Sequence, residues 1–210
     1  MKPVYLMLAA ALALAACASK PQPPSWQPNA RGALDGYTDA WLKGDTAAAD
    51  AEFARARRET ASTGRFDRVA QAELVRCAVQ VAALEPDCPG FAAIAGDATP
   101  AQRAYAAYLD GRWQGLDAAL LPAQHRPVVA GGTLAGVADP LSRLVAAGAL
   151  LRAGRITPGD IGVAVETASE QGWRRPLLAW LGVQEMRAQA AGDAAALEQV
   201  RKRIALVSGA

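Results

Sequence analysis

The 210-residue sequence predicts an all-α protein, with eight or nine short helices stacked as antiparallel hairpins. Three observations carry that reading. Alanine supplies 51 residues, and it surrenders no side-chain entropy in a helix. From position 29 onward apolar residues return every three or four positions, the spacing of one helical face. Helix-start signals recur along the chain, whereas no segment alternates apolar and polar residues as a half-buried strand does. A hydrophobic content of 52% and mean hydropathy of +0.06 exclude general disorder. A net charge of +2 is too small to argue for a nucleic-acid partner.

Met1-Lys2 is a basic start, residues 4–16 are an uncharged apolar run, and the run ends in Leu14-Ala15-Ala16-Cys17. Charge, length and small closing residues mark a secretory signal. As a helix this run spans about 20 Å against roughly 30 Å of hydrocarbon, which disfavours a permanent membrane span. Residues 14–17 resemble the lipobox of bacterial lipoproteins, in which a Leu and two small residues precede an invariant Cys, and the resemblance covers residues 1–19. It implies that residues 1–16 are a cleaved signal peptide and that Cys17 is the acylated first residue of the mature chain. Ala18-Ser19 lacks the Asp that commonly retains this family at the inner membrane, which implies an outer-membrane anchor facing the periplasm. Several acyl chains, at about 0.8 kcal/mol per buried methylene, hold firmly where one is marginal. The competing reading is an ordinary secretory peptide cut near Ala16, leaving Cys17 a free thiol.

Residues 17–29 read as a tether, with four prolines among residues 20–29. In polyproline II it reaches about 37 Å. Trp26 is either a docking aromatic at its end or a residue lying on the first helix. Residues 30–210 are long enough to bury a core and are expected to form a single helical periplasmic domain.

Within that domain Asn29 can cap a helix to Lys43 that carries Leu34, Tyr37 and Trp41 on one face. Gly44-Asp45 ends it and caps a second, with Ala49, Phe53 and Ala56 inward. After Gly64 a long helix over 65–84 bears the stripe Phe66, Val69, Ala70, Leu74, Cys77, Val81 and Leu84, followed by a short apolar piece at 91–95. Thr99-Pro100-Ala101-Gln102 combines a capping box with proline at the first helical position. Residues 111–121 predict one more short helix and 122–132 a loop. Asp139-Pro140 and Thr157-Pro158-Gly159-Asp160 open further helices, and segments 176–191 and 193–207 complete the set.

The junctions Gly44-Asp45 and Gly192-Asp193 look alike, each the turn of an antiparallel helix pair with a left-handed Gly and a capping Asp. The first resembles a tetratricopeptide-type repeat through Gly44, Ala49, Phe53 and Ala56. Other consensus positions are missing, and the 148-residue offset between junctions is no multiple of that family's 34. TPR-like stacking and an irregular helical bundle therefore stand as alternatives.

With Cys17 assigned to lipid, Cys77 and Cys88 remain as an even pair in an oxidising compartment, which predicts a disulfide. Ten residues separate them where thioredoxin-like redox chemistry needs two, and a single histidine argues against zinc. No metal site or cofactor is expected. His125, the only histidine, sits in a proline-flanked segment and is expected to be solvated, its loss costing less than about 0.5 kcal/mol. No phosphate loop, nucleophile elbow or HExxH is present, so no catalytic residue is assigned and the chain is read as a non-enzyme. Asp35, Asp39, Glu166 and Glu170 read as wet helix faces, as does Arg201-Lys202-Arg203.

The candidate ligand-binding residues are Trp173, Arg174 and Arg175, because Arg beside Trp takes anionic sugars or phosphates by charge and stacking. Cations at a helix start oppose its dipole, so the same groups can instead answer a carboxylate elsewhere in the fold. Arg112-Trp113 is a second pair of this kind. Two functions follow: a non-catalytic scaffold or adaptor for an envelope protein, or a binding module for peptidoglycan or another anionic envelope polymer. An apolar groove favours the first, and clustered exposed aromatics with arginines the second.

Overall fold

The computed structural model describes residues 23–209; the signal peptide, Cys17 and the tether through residue 22 lie outside them. The described residues form an all-α bundle of ten helices, with four 3-10 turns and no strand. Helix α1 (Trp26–Lys43) begins three residues ahead of Asn29 and takes in the last four residues of the segment expected to be a tether. Pro28 stands in the first turn, where a helix has no N–H partner to lose. Trp26 lies on this helix, with the Arg68 guanidinium 5.8 Å from its ring centre.

The two hairpin turns form as their sequences dictate. Gly44 (φ 96°) ends α1 and the Asp45 carboxylate accepts from Ala48 N at 3.0 Å to start α2 (Thr46–Ala61). At the other end Gly192 (φ 68°) closes α9 (Arg174–Ala191), and Asp193 accepts from Ala196 N at 3.0 Å to open α10 (Ala194–Ser208).

Between them, α3 (Phe66–Ala82) is the central helix, packed against α1 and α2 and against the later helices α5 (Pro100–Leu109) and α7 (Pro140–Arg152). Ten of its residues are buried, far more than one stripe, because neighbours cover it on several sides. Phe66, assigned to that stripe, is 57% exposed at the helix's outer end. The helix stops at Ala82, and Leu84 takes the left-handed position (φ 59°) that a glycine usually fills. For a side chain bearing a Cβ that costs about 1–2 kcal/mol, offset here by packing of Leu84 against the main core.

The chain then turns into α4 (Pro89–Ala92), and Cys77 is bonded to Cys88 with an S–S distance of 2.18 Å and Cα atoms 5.4 Å apart. The bridge ties the middle of α3 to the segment after it. Reduction is expected to lower stability by roughly 2.5–3 kcal/mol, the chain-entropy value for so short a loop, and to lower the melting temperature. Thiol labelling of both cysteines in the folded, unreduced protein would contradict this.

Residues 111–121 do not form the predicted helix. Gly111 and Gly115 both take positive φ (72° and 70°), and only a 3-10 turn, Ala118–Leu120, remains. Conversely, the predicted loop at 122–132 contains the turn Ala123–His125 and α6 (Arg126–Val129), with Leu121 and Val128 in the core. The two four-residue helices, α4 and α6, raise the count above the eight or nine expected.

The remaining start signals behave as read. Thr99 and Gln102 exchange both capping-box bonds (3.2 and 2.9 Å), Asp139 caps α7 through Ser142 N (2.7 Å), and Thr157 pairs with Asp160 to open α8 (Pro158–Glu170). Because α3 meets α7 and α9 returns to touch α1, contacts between elements distant in sequence close the bundle. A small cluster of Tyr37, Trp41, Phe53 and Val79 lies under the α1–α2 hairpin, and the main core fills the space among α3, α5, α7, α8 and α9. Among the described residues no helix is long and apolar enough to cross a membrane.

Candidate functional site

One face of α3 borders two open spaces between its neighbours, although Ala72, Ala78 and Val79 on it are themselves buried. Arg68, Gln71, Ala72, Val75, Ala78 and Val79 repeat at helical spacing along it and line two adjoining cavities. The larger, about 710 Å³, is walled by α1 through Trp26, Ala30, Leu34 and Leu42, with Trp173 also contributing. The smaller, about 430 Å³, is walled by Tyr105 of α5, residues 120–125, and Leu141, Ser142 and Val145 of α7. Gln71, Val75 and Leu141 belong to both, so the two form one groove across the bundle. Its floor is aliphatic. Charged side chains (Arg31, Asp35, Asp39, Arg68) line only the α1 end, and Asp39 is already paired with Lys43 at 2.8 Å.

His125 is not solvated. It is 1% exposed, its Nδ1 lies 3.2 Å from the Tyr108 hydroxyl, and its ring packs 4.9 Å from Tyr108 and 5.6 Å from Tyr105 between centroids. Leu121 in the core draws the segment inward and carries the imidazole with it. Burial pushes its pKa down to about 4, with the Asp139 carboxylate opposing that shift, and burial pushes the Tyr105 and Tyr108 hydroxyls well above the usual range. All three groups are therefore neutral near pH 7. Truncation of His125 costs well over the 0.5 kcal/mol expected of a solvated residue, since it opens space and strands a buried hydroxyl.

The candidates at the start of α9 are engaged within the fold. Arg175 stacks 3.8 Å over the Trp41 ring centre and donates to Thr46 and, at 3.4 Å, to Glu85. This is the alternative in which the cation answers a carboxylate elsewhere, and it ties α9 to α1 and α2. Arg174 donates to the Ser208 carbonyl at 3.0 Å, while Trp173 packs on both cores and lines the α1 end of the groove. Arg112 pairs with Asp110 at 2.9 Å, and Trp113 stacks on Tyr108 (5.3 Å, 7°) while donating to the Tyr108 carbonyl. Trp113 lines neither cavity of the groove, so the two tryptophans do not share it.

Asp35, Asp39, Glu166 and Glu170 lie exposed on helix surfaces. Among the described residues no three His, Cys, Asp or Glu side chains gather as metal ligands. Sequence reasoning missed the groove because its walls come from several segments far apart in the chain; Val75 and Val79, apolar yet off the main α3 stripe, were the available signal. Compared with known proteins, the chain matches no family model, no curated protein and no solved structure, and the groove's own chemistry has to carry the functional reading.

Proposed function

We propose that this chain is an outer-membrane-anchored periplasmic lipoprotein that acts as a non-catalytic helical adaptor, holding a protein partner of the cell envelope in the groove across α3. The observation that carries the reading is the groove itself, an aliphatic floor with an aromatic wall and charge confined to one end, which is the composition of a peptide-binding surface rather than of a polyanion site. The internal engagement of Arg174 and Arg175 weighs against the polymer-binding alternative, which needs them free.

A photo-crosslinking residue placed at Leu34 in intact cells is expected to trap one discrete protein, whereas the same residue at Met186, 64% exposed on α9 and away from the groove, traps none above background. Equal capture from both positions would remove the groove from the proposal. Val75→Glu is expected to abolish the Leu34 crosslink with helix content preserved, because the charge enters the floor shared by both cavities. The anchor is tested separately: Cys17→Ser should move the protein from the membrane to the soluble periplasmic fraction, and unchanged fractionation would refute lipidation at that residue.

A further inference from the structure

The smaller cavity has features that a docking groove for a protein does not require. Its lining contains no charged side chain, and His125 and Tyr105 stand among its polar groups together with Gln71, Gln102, Gln124 and Ser142. Tyr108 has no other acceptor for its hydroxyl proton among the described residues, so its O–H donates to His125 Nδ1. That fixes the imidazole in the tautomer with hydrogen on Nε2. This second nitrogen has no partner among the described residues although the side chain is 1% exposed and lines the cavity. The Tyr105 hydroxyl also lacks a protein partner among the described residues, and its ring lies 5.6 Å from that of His125. Two hydrogen-bond donors are thus held by aromatic packing beside apolar space of about 430 Å³. Neither donor is sealed off from solvent, so each stays open to the cavity, where a ligand's carbonyl oxygen can replace water as its acceptor.

We propose that this cavity is a small-molecule site for a neutral, largely apolar ligand whose carbonyl oxygen accepts from His125 Nε2 and the Tyr105 hydroxyl. Leu74, Ala78, Val145 and Leu121 hold the apolar body. An anion is excluded because no Lys or Arg lines the cavity to offset the loss of its hydration. A pure hydrocarbon fills the space but leaves the donors unmet. The site goes beyond the adaptor reading and does not depend on it.

Three naphthalenes of one ring body separate these cases: 2-acetylnaphthalene (neutral, with a carbonyl), 2-ethylnaphthalene (neutral, without one) and 2-naphthoate (anionic). They are titrated into the untagged full chain carrying Cys17→Ser. Because the chain has a single histidine, selective ¹⁵N-histidine labelling gives one pair of ring nitrogen signals. We expect saturable binding of the ketone, about tenfold tighter than the hydrocarbon and tighter still than the carboxylate, with the Nε2–H proton moving downfield only with the ketone. Tyr105→Phe, which keeps the ring and removes the hydroxyl, should reduce the ketone's advantage severalfold. Equal binding of ketone and hydrocarbon, tighter binding of the carboxylate, no saturable ketone binding, or an unmoved Nε2–H signal at saturation would each overturn the proposal. The Leu34 crosslink is unaffected by any of these outcomes, so the two proposals fail separately.

Discussion

Gly148→Ala is expected to destabilise the protein by about 3 kcal/mol and to lower its melting temperature by roughly 6–12 °C. Gly148 lies where α7 crosses α3. A Cβ built there stands 2.3 Å from the Val81 carbonyl oxygen and 2.7 Å from Val81 Cγ1. The obstacle is backbone of the central helix, so no rotamer change relieves it and the two helices must separate. Both are buried at the crossing, with Val81, Ala147 and Ala149 all nearly inaccessible, and separation spreads the loss through the main core. Gly162→Ala on α8 is the control. Nothing lies within 4 Å of its Cβ, and replacing a mid-helix glycine by alanine is expected to stabilise by about 0.5–1 kcal/mol. Urea denaturation of both variants checks the pair, and a Gly148→Ala effect no larger than that of Gly162→Ala would show that the crossing is not tight.

The second large effect is a pH dependence that belongs to one residue. His125 has a folded pKa near 4, below the usual 6.5, because burial disfavours its charged form. A depressed histidine contributes its stability in full above pH 6.5, where both states are neutral, and loses it as pH falls, since the unfolded chain takes up the proton first. The loss between pH 6.5 and pH 4 is up to about 3 kcal/mol. Carboxylates titrate in the lower part of the same window, so the decisive quantity is the difference from His125→Gln, which can still accept from Tyr108 but carries no proton equilibrium. We expect wild type to be the more stable at pH 7.5 and that advantage to shrink steadily toward pH 4. A constant difference across the range would mean that the imidazole is not held neutral.

The local signals were legible in sequence wherever a few neighbouring residues decide the outcome. Gly44-Asp45, Gly192-Asp193, Thr99 with Gln102 and Thr157 with Asp160 each set a helix end through bonds spanning five residues or fewer, and each does so in the fold. What failed was decided at long range. Over residues 111–137 the helix expected at 111–121 does not form, and no local signal places the rest inside, yet Leu121, His125, Val128 and Leu134 are buried because α5 and α7 lie over them. The single stripe assigned to α3 was too narrow because helices from both sides of it in sequence surround it, as far along as α9, whose Trp180 donates to the Ala82 carbonyl. At the site, Arg174 and Arg175 were conspicuous in sequence but are engaged internally, with partners from Thr46 to Ser208. The groove, by contrast, is assembled from residues ordinary in isolation, and the imidazole beside it looked exposed for want of any local sign of Tyr105 and Tyr108 stacking against it.

The placement of α1 has a mechanical consequence. It is the first of the described helices and also one wall of the larger cavity, so a pull on the chain ahead of it would reach the groove before any other described element. The Trp41–Arg175 stack fastens α1 at its C-terminal end, opposite the end where the pull arrives. The start of α1 is held as well, by packing along α2, by the Asn29–Glu59 hydrogen bond at 3.4 Å and by the Arg68 guanidinium over Trp26, and these contacts would have to open before the larger cavity widens. Such a load would act on the larger cavity ahead of the smaller one, which α1 does not line.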